Sequence, residues 1–152
     1  MPTVYDVPNP LLIQRLTEYL KMNVPEVIPP TWASYVKTSS HLEEPPVQSD
    51  WWHTRCSSLL RKAYIQGPIG IARLRKAYGG RTGKGSQGKF KAPGGGAIIR
   101  KAFQQLEQAG LINTIEGKGR VLTSKGISLL DRFAYEIKSE LEKSLPTLKK
   151  YG

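Results

Sequence analysis

Basic residues dominate one continuous window of the chain. Between Trp51 and Leu106 the sequence contains twelve lysines and arginines and no aspartate or glutamate, whereas the formal net charge of all 152 residues is +11. Positive charges without internal counter-charges repel one another unless an outside anion neutralises them. Nucleic acid is the commonest polyanion that a protein meets, so the window predicts a nucleic-acid partner.

Side chains that could carry out catalysis are scarce. The histidines are His41 and His53, the single cysteine is Cys56, and no Cys/His pair has the spacing of a metal site. A nuclease would need carboxylates to hold magnesium, and the basic window has none. The pair Gly83-Lys84 lacks the glycine and the Ser/Thr that complete a phosphate-binding P-loop. We therefore predict no enzymatic activity, no cofactor and no bound metal, and a buried structural role for Cys56.

The basic window begins with a helix predicted over residues 51–65, which separates its side chains onto two faces. At 100° per residue, one stripe consists of apolar side chains that would face the core. The opposite face carries basic side chains beside an indole, a combination that suits stacking on bases and contact with phosphates. The predicted core stripe is Trp52, Cys56, Leu59, Leu60 and Ala63, and the predicted outer face is Trp51, Arg55, Ser58, Arg61 and Lys62.

The remaining elements follow from apolar periodicity, capping residues and prolines. Before the central helix we predict a helix over residues 9–22, capped by Asn9, and a short helix over 32–36. After it we predict a helix over 69–78, a Gly- and Lys-rich loop over 79–96 and a helix over 97–109. In the helix 97–109, we expect Arg100, Lys101, Gln104, Gln105 and Gln108 to face outward. Two short strands, 111–115 and 120–123, then form a hairpin, and a helix capped by Thr123 or Ser124 buries Ile127, Leu130, Phe133/Ala134, Ile137 and Leu141.

This order predicts a mainly α fold: a winged helix-turn-helix with a short β-hairpin wing and extra N-terminal helices. We expect a single domain over 1–152, with an N-terminal helical extension at 1–48, a winged-helix core at 49–142 and a frayed basic tail at 143–152. No signal peptide and no apolar run of the roughly 20 residues that span a membrane is found. The sequence pI of about 9.9 predicts a cytoplasmic protein with nucleic-acid partners.

Several short segments resemble one known family along nearly the whole chain. They are Pro-Thr-Trp at 30–32, Asp-Trp-Trp at 50–52, Gly-Pro-Ile-Gly at 67–70, Tyr-Gly-Gly-Arg at 78–81 and Gly-Arg-Val-Leu-Thr at 119–123. In these segments the chain resembles small-subunit ribosomal protein nineteen of the archaeal and eukaryotic type, and the absence of a lysine-rich ending suggests an archaeal member. Residues 82–89 depart from the family, which often reads Asn-Arg-Gly after the arginine.

The resemblance implies a non-enzymatic winged-helix protein in the head of the small ribosomal subunit. It implies binding to ribosomal RNA and, as in eukaryotic members, a role in maturing the small-subunit RNA. The family's central helix bears its best-known functional face, which corresponds here to Trp51, Arg55 and Arg61. A second family surface corresponds to Arg100 and Lys101.

We therefore predict a structural constituent of the small subunit whose partners are ribosomal RNA and neighbouring ribosomal proteins. We expect no membrane partner, no small-molecule substrate and no obligate homo-oligomer. The predicted RNA-binding residues are Trp51, Arg55, Ser58, Arg61, Lys62, Arg73, Arg75, Lys76, Tyr78, Arg81, Lys84, Lys89, Lys91, Arg100 and Lys101. The alternative is a DNA-binding winged-helix transcriptional regulator, dimeric, with Lys101, Gln104 and Gln108 in a major groove.

Overall fold

A computed structural model describes residues 2–39, 41–82 and 90–151 of the chain. The helices are α1 (Asn9–Asn23), α2 (Trp51–Gln66), α3 (Ile71–Ala77), α4 (Gly96–Gln108) and α5 (Ser124–Ser144), with 3-10 turns at Val4–Asp6, Thr31–Ser34 and Pro146–Tyr151. The strands are β1 (Gly80–Thr82), β2 (Phe90–Ala92), β3 (Ile112–Ile115) and β4 (Gly119–Leu122). The predicted mainly helical fold with a hairpin wing is confirmed.

Helix α2 lies at the centre of the core, and its five predicted core residues are all buried. Helix α1 packs against it through Leu12, Leu16 and Leu20, each fully buried. The prediction that Asn9 caps α1 is wrong, because Pro8 occupies the cap position and Asn9 already lies inside the helix. Helix α2 ends at Gly67, whose φ of 71° lies in the left-handed region that favours glycine.

Strands β3 and β4 form the predicted wing, joined by a turn that contains Gly117. A third segment extends this sheet, because the N–H and C=O groups of Ile69 bond to the C=O and N–H groups of Arg120 at 3.1 Å and 2.9 Å. Gly119 passes Ile69 so closely that a Cβ there would lie 2.7 Å from the Ile69 carbonyl oxygen. The segment before α3 is thereby attached to the wing.

The prediction of an irregular loop over 79–96 is wrong at both ends. Strands β1 and β2 pair antiparallel there, with Gly80 opposite Ala92, Arg81 opposite Lys91 and Thr82 opposite Phe90. Local apolar alternation is absent from these strands, and tertiary contacts of Gly79 and Gly80 with the body of the protein hold them instead. The 3-10 turn at Pro146–Tyr151 likewise occupies much of the predicted frayed tail.

Two predicted orientations on the later helices are also wrong. Gln105 is buried on α4, because both ends of its amide form hydrogen bonds within the protein, one to the Trp52 indole and one to the Ile28 carbonyl oxygen. Ile127 on α5 is 42% exposed. The first turn of α5 meets the wing through Gly126, where a Cβ would lie 2.6 Å from the Leu111 carbonyl oxygen, so the neighbouring Ile127 points away from that contact.

Thr123 caps α5 as predicted, accepting from the Gly126 amide at 3.2 Å.

Candidate nucleic-acid interface

A tyrosine at the end of α3 gathers basic and hydroxyl side chains from α2. The Arg55 guanidinium carbon lies 4.0 Å from the centroid of the Tyr78 ring, and the Lys62 ammonium nitrogen lies 5.2 Å from it. The Tyr78 hydroxyl bonds to the Ser58 hydroxyl at 2.6 Å. Residues 55, 58 and 62 stand three and four positions apart, so the helix presents them on one face. We call these four residues the Tyr78 cluster.

Burial shifts the ionisation of this cluster. Burial lowers the pKa of Arg55, although an arginine remains charged at neutral pH. Burial also raises the pKa of the Tyr78 phenol, so Tyr78 stays neutral and its bond to Ser58 joins two hydroxyl groups. Within the described residues, the ion pairs join Arg15 to α5 and Arg120 to Glu107, and none reaches the cluster.

Donors on this face lack acceptors within the protein. Among the residues that the structure describes, Arg55 Nη1 and Arg61 Nε are buried and have no hydrogen-bond partner. An unpaired buried donor on a charged group is costly, and a small movement of the side chain toward an acceptor on another molecule would remove that cost. Phosphate and ribose oxygens are such acceptors.

Trp51 is less exposed than the helical wheel predicts. Its ring packs edge-on against Trp52, with centroids 5.6 Å apart, and the side chain is half-buried. It lines a cleft of about 730 Å³ together with Arg55 and Ser58. The segment 42–48, which includes Glu43 and Glu44, lines the same cleft. The window that is free of acid in sequence therefore has carboxylates close to one end in space.

The other predicted site residues are distributed over several surfaces. Arg73 and Lys76 are exposed on α3, and Arg100 and Lys101 are exposed on α4. No hydrogen bond or ring contact of the described residues joins these four to the Tyr78 cluster.

Arg75 is engaged within the protein, because its Nε donates to the Gly94 carbonyl oxygen at 3.0 Å. Arg81 and Lys91 face each other across the β1–β2 hairpin. The predicted residues Lys84 and Lys89 lie outside the described residues.

Two of the contacts near this face could not be predicted from the sequence. Tyr78 and Arg55 are 23 positions apart, and only the tertiary fold brings them together. Arg120 on the wing is turned inward, where it pairs with Glu107 at 3.3 Å and lies 5.3 Å from the Phe103 ring. Arg120 is therefore a structural residue and not a free cation on the wing.

Groups that could carry out catalysis are engaged in structure. His53 Nε2 donates to the Val27 carbonyl oxygen at 3.2 Å, and burial lowers the pKa of its imidazole. Cys56 is fully buried, and burial raises the pKa of its thiol, which disfavours the reactive thiolate. Over residues 2–39, 41–82 and 90–151, no three His, Cys, Asp or Glu side chains are grouped to hold a metal. Within the same residues, none of the helices has the length and apolar character needed to cross a membrane.

Fold and surface together define a basic winged-helix protein whose central helix holds an arginine and a lysine against the tyrosine that ends α3. The model of the family described as ribosomal protein S19e matches residues 3–140, so the chain belongs to that family.

Curated relatives match over almost the full length of the chain. A small ribosomal subunit protein eS19 of Aeropyrum pernix is 45% identical over 152 residues, covering 99% of each chain. That of Haloarcula marismortui is 43% identical and covers 100% of each chain, and eS19B of Schizosaccharomyces pombe is 31% identical and covers 92% of this chain and 97% of the yeast protein. The archaeal relatives are the more similar, which confirms the predicted archaeal type.

Membership of this family confirms the coarser functional predictions. The chain is a structural constituent of the small ribosomal subunit, it is located on cytoplasmic ribosomes, and it is not an enzyme.

Proposed function

We propose that the chain binds ribosomal RNA in the head of the small subunit, chiefly through the Tyr78 cluster together with Trp51 and Arg61. The guanidinium of Arg55 would donate to phosphate or ribose oxygens, and Lys62 would add charge beside the same ring. Trp51 would contact a base or sugar at the mouth of the cleft.

The observation that carries this proposal is the set of unmatched donors on a half-buried face. Arg55 is held against Tyr78 with Nη1 unpaired, and the neighbouring Arg61 Nε is unpaired as well. A cation that served only solubility would extend into water, where its donors would be hydrated. Preorganised and incompletely hydrogen-bonded arginines are instead suited to a rigid anionic partner.

The remaining predicted residues would raise the affinity for RNA but would do little to fix its orientation. Arg73, Lys76, Arg100 and Lys101 are exposed cations that reach phosphates without a fixed geometry. Neighbouring ribosomal proteins are further proposed partners. A part in the maturation of small-subunit RNA is an extension that rests on the family's eukaryotic members.

The DNA-binding alternative has less support. In helix-turn-helix proteins that bind DNA, a turn of roughly three to four residues joins the recognition helix to the helix before it. In this chain the corresponding helices α3 and α4 are separated by residues 78–95, which include the β1–β2 hairpin. The three relatives described above are all named small ribosomal subunit proteins. Sedimentation with small subunits at low salt would favour the ribosomal function, and a free dimer that selects one DNA sequence would favour the alternative.

The proposal is tested by the variant Arg55→Ala in binding to a transcript of the head domain of small-subunit RNA. We expect its dissociation constant to rise about tenfold or more, because a charge-assisted hydrogen bond contributes roughly 1.5–3 kcal/mol. The measurement is filter binding at one fixed salt concentration.

The matched control is Arg132→Ala. Arg132 is an exposed arginine that likewise lies near aromatic rings, with its guanidinium carbon 5.1 Å from the Phe133 centroid and 5.9 Å from the Tyr19 centroid. It lies on α5, and its loss removes the same charge and the same kind of ring contact. Equal losses of affinity in the two variants would show that only net charge matters and would contradict the proposed interface.

A further inference from the structure

The β1–β2 hairpin has one face directed at the body of the protein. Ala92 is only 8% exposed, and its cross-strand partner Gly80 lies against the ring of His41. A Cβ on Gly80 would lie 2.6 Å from two atoms of that ring, so the imidazole fills the space that a side chain would take. The His41 ring is itself held by a 2.6 Å bond between its Nδ1 and the Ser39 hydroxyl.

Phe90 lies on the same face but beyond the edge of the body. Alternation along the strand places Phe90 on the side of Ala92, two residues or roughly 7 Å further out. Its side chain is 70% exposed, although an aromatic ring gains from burial. The ring therefore presents an exposed aromatic surface next to the body of the protein.

The opposite face of the hairpin carries two like charges. Arg81 and Lys91 are direct cross-strand partners, both exposed, and no ion pair of the described residues involves either. Like charges opposite each other destabilise a strand pair, and a hairpin of three residue pairs is marginally stable. An anion on this face would relieve that repulsion.

We propose that Phe90 is a base-stacking residue: an unpaired RNA base lies on its ring, while phosphates meet Arg81 and Lys91 on the other face of the hairpin. This inference rests on the proposed RNA-binding function and adds a second contact, separate from α2. Aromatic rings stack on any base, and the basic face next to Phe90 favours RNA over an apolar protein surface.

Fluorine NMR tests the stacking directly in the full chain. The sequence has three phenylalanines, and Phe103 and Phe133 are buried, so fluorophenylalanine labelling gives one resonance from an exposed ring. Phe90→Tyr assigns that resonance by removing it. The probes are a short oligoadenylate and inorganic polyphosphate. We expect an upfield shift of the Phe90 resonance with oligoadenylate and none with polyphosphate, because only a base has a ring current.

Affinity for the head-domain transcript gives a second readout. Phe90→Ile keeps a good strand former without a π face and should weaken binding about tenfold, the loss typical of one stacked base, whereas Phe90→Tyr should bind as the parent does. Tyr135→Ile, at an exposed aromatic on α5, is the control and should change nothing.

Three results would overturn the inference: an unchanged Phe90 resonance with oligoadenylate, equal shifts with both probes, or equal affinities of Phe90→Ile and Phe90→Tyr. The first would point to a protein contact for this ring, and the second to charge alone. If Arg55→Ala weakens transcript binding while these tests fail, the proposed function stands and only the Phe90 inference is lost.

Discussion

Gln105 shows how one buried amide can join distant parts of this chain. Its Oε1 accepts from the Trp52 indole N–H at 2.8 Å, and its Nε2 donates to the Ile28 carbonyl oxygen at 2.7 Å. The amide thus connects α4 to the buried tryptophan of α2 and to the proline-containing segment before the second 3-10 turn. Trp52 in turn packs edge-on against Trp32, with centroids 5.8 Å apart.

Replacing this amide should be costly for stability. We expect Gln105→Leu to lower the free energy of unfolding by about 2 kcal/mol, because it leaves the Trp52 N–H and the Ile28 carbonyl without partners. Urea unfolding followed by tryptophan fluorescence measures the loss. The neighbouring Gln104 is exposed, so Gln104→Leu should change stability by less than about 0.5 kcal/mol. Similar values for the two variants would contradict the role given to Gln105.

For single residues, the sequence predicts the burial of apolar side chains better than that of polar ones. The five core residues of α2 follow from helical periodicity alone. Gln105 does not, because an amide is assigned to the surface by its polarity, and its partners lie 53 and 77 positions away. For the same reason the sequence shows Arg55 and Tyr78 as separate candidates but not as one cluster.

Among the elements, the wing depends on one glycine. Gly119 has φ of 110° and runs against the Ile69 carbonyl, at the point where residues before α3 join β4. We expect Gly119→Ala to lower the free energy of unfolding by about 2–3 kcal/mol, since it adds backbone strain and a clash with main-chain atoms. Urea unfolding gives the total, and hydrogen exchange at the Ile69 and Arg120 amides shows whether the wing opens first.

Gly117 provides the matched control for that substitution. Its φ of 79° also disfavours a side chain, but a Cβ there would meet nothing within 4 Å. Gly117→Ala should therefore cost only about 1 kcal/mol, the penalty of the left-handed conformation. If both variants lose the same stability, the close approach to Ile69 is not important for the wing.

Most of the helices and strands can be predicted from the sequence, and the β1–β2 hairpin is the exception. Caps, prolines and apolar stripes give the helices to within a few residues, and the wing follows from two short apolar runs around a glycine turn. Strands β1 and β2 carry no such pattern. Gly80 lies against His41, and the flanking residues Gly79 and Gly94 contact Arg75 and Tyr78. Tertiary packing decided that segment, which local propensity cannot show.

For the molecule as a whole, the distribution of charge and the family assignment agree. The ion pairs found among the described residues involve Arg15 and Arg120, and neither belongs to the predicted RNA-binding set. Residues Arg55 and Lys62 instead lie against a neutral tyrosine. The fold holds these cations in place without neutralising them. This is expected of a protein in which an anionic partner supplies the counter-charge.

The central claim is that the Tyr78 cluster contacts RNA, and a cryo-electron microscopy structure of small subunits that contain this chain tests it most directly. The quantity to measure is the distance from the nearest nitrogen of the Arg55 guanidinium to the nearest RNA oxygen. We predict a hydrogen bond of about 2.7–2.9 Å to a phosphate or ribose oxygen, with the guanidinium still on the Tyr78 ring. A cluster that faces solvent in the assembled subunit, or that is covered only by another protein, would contradict the account.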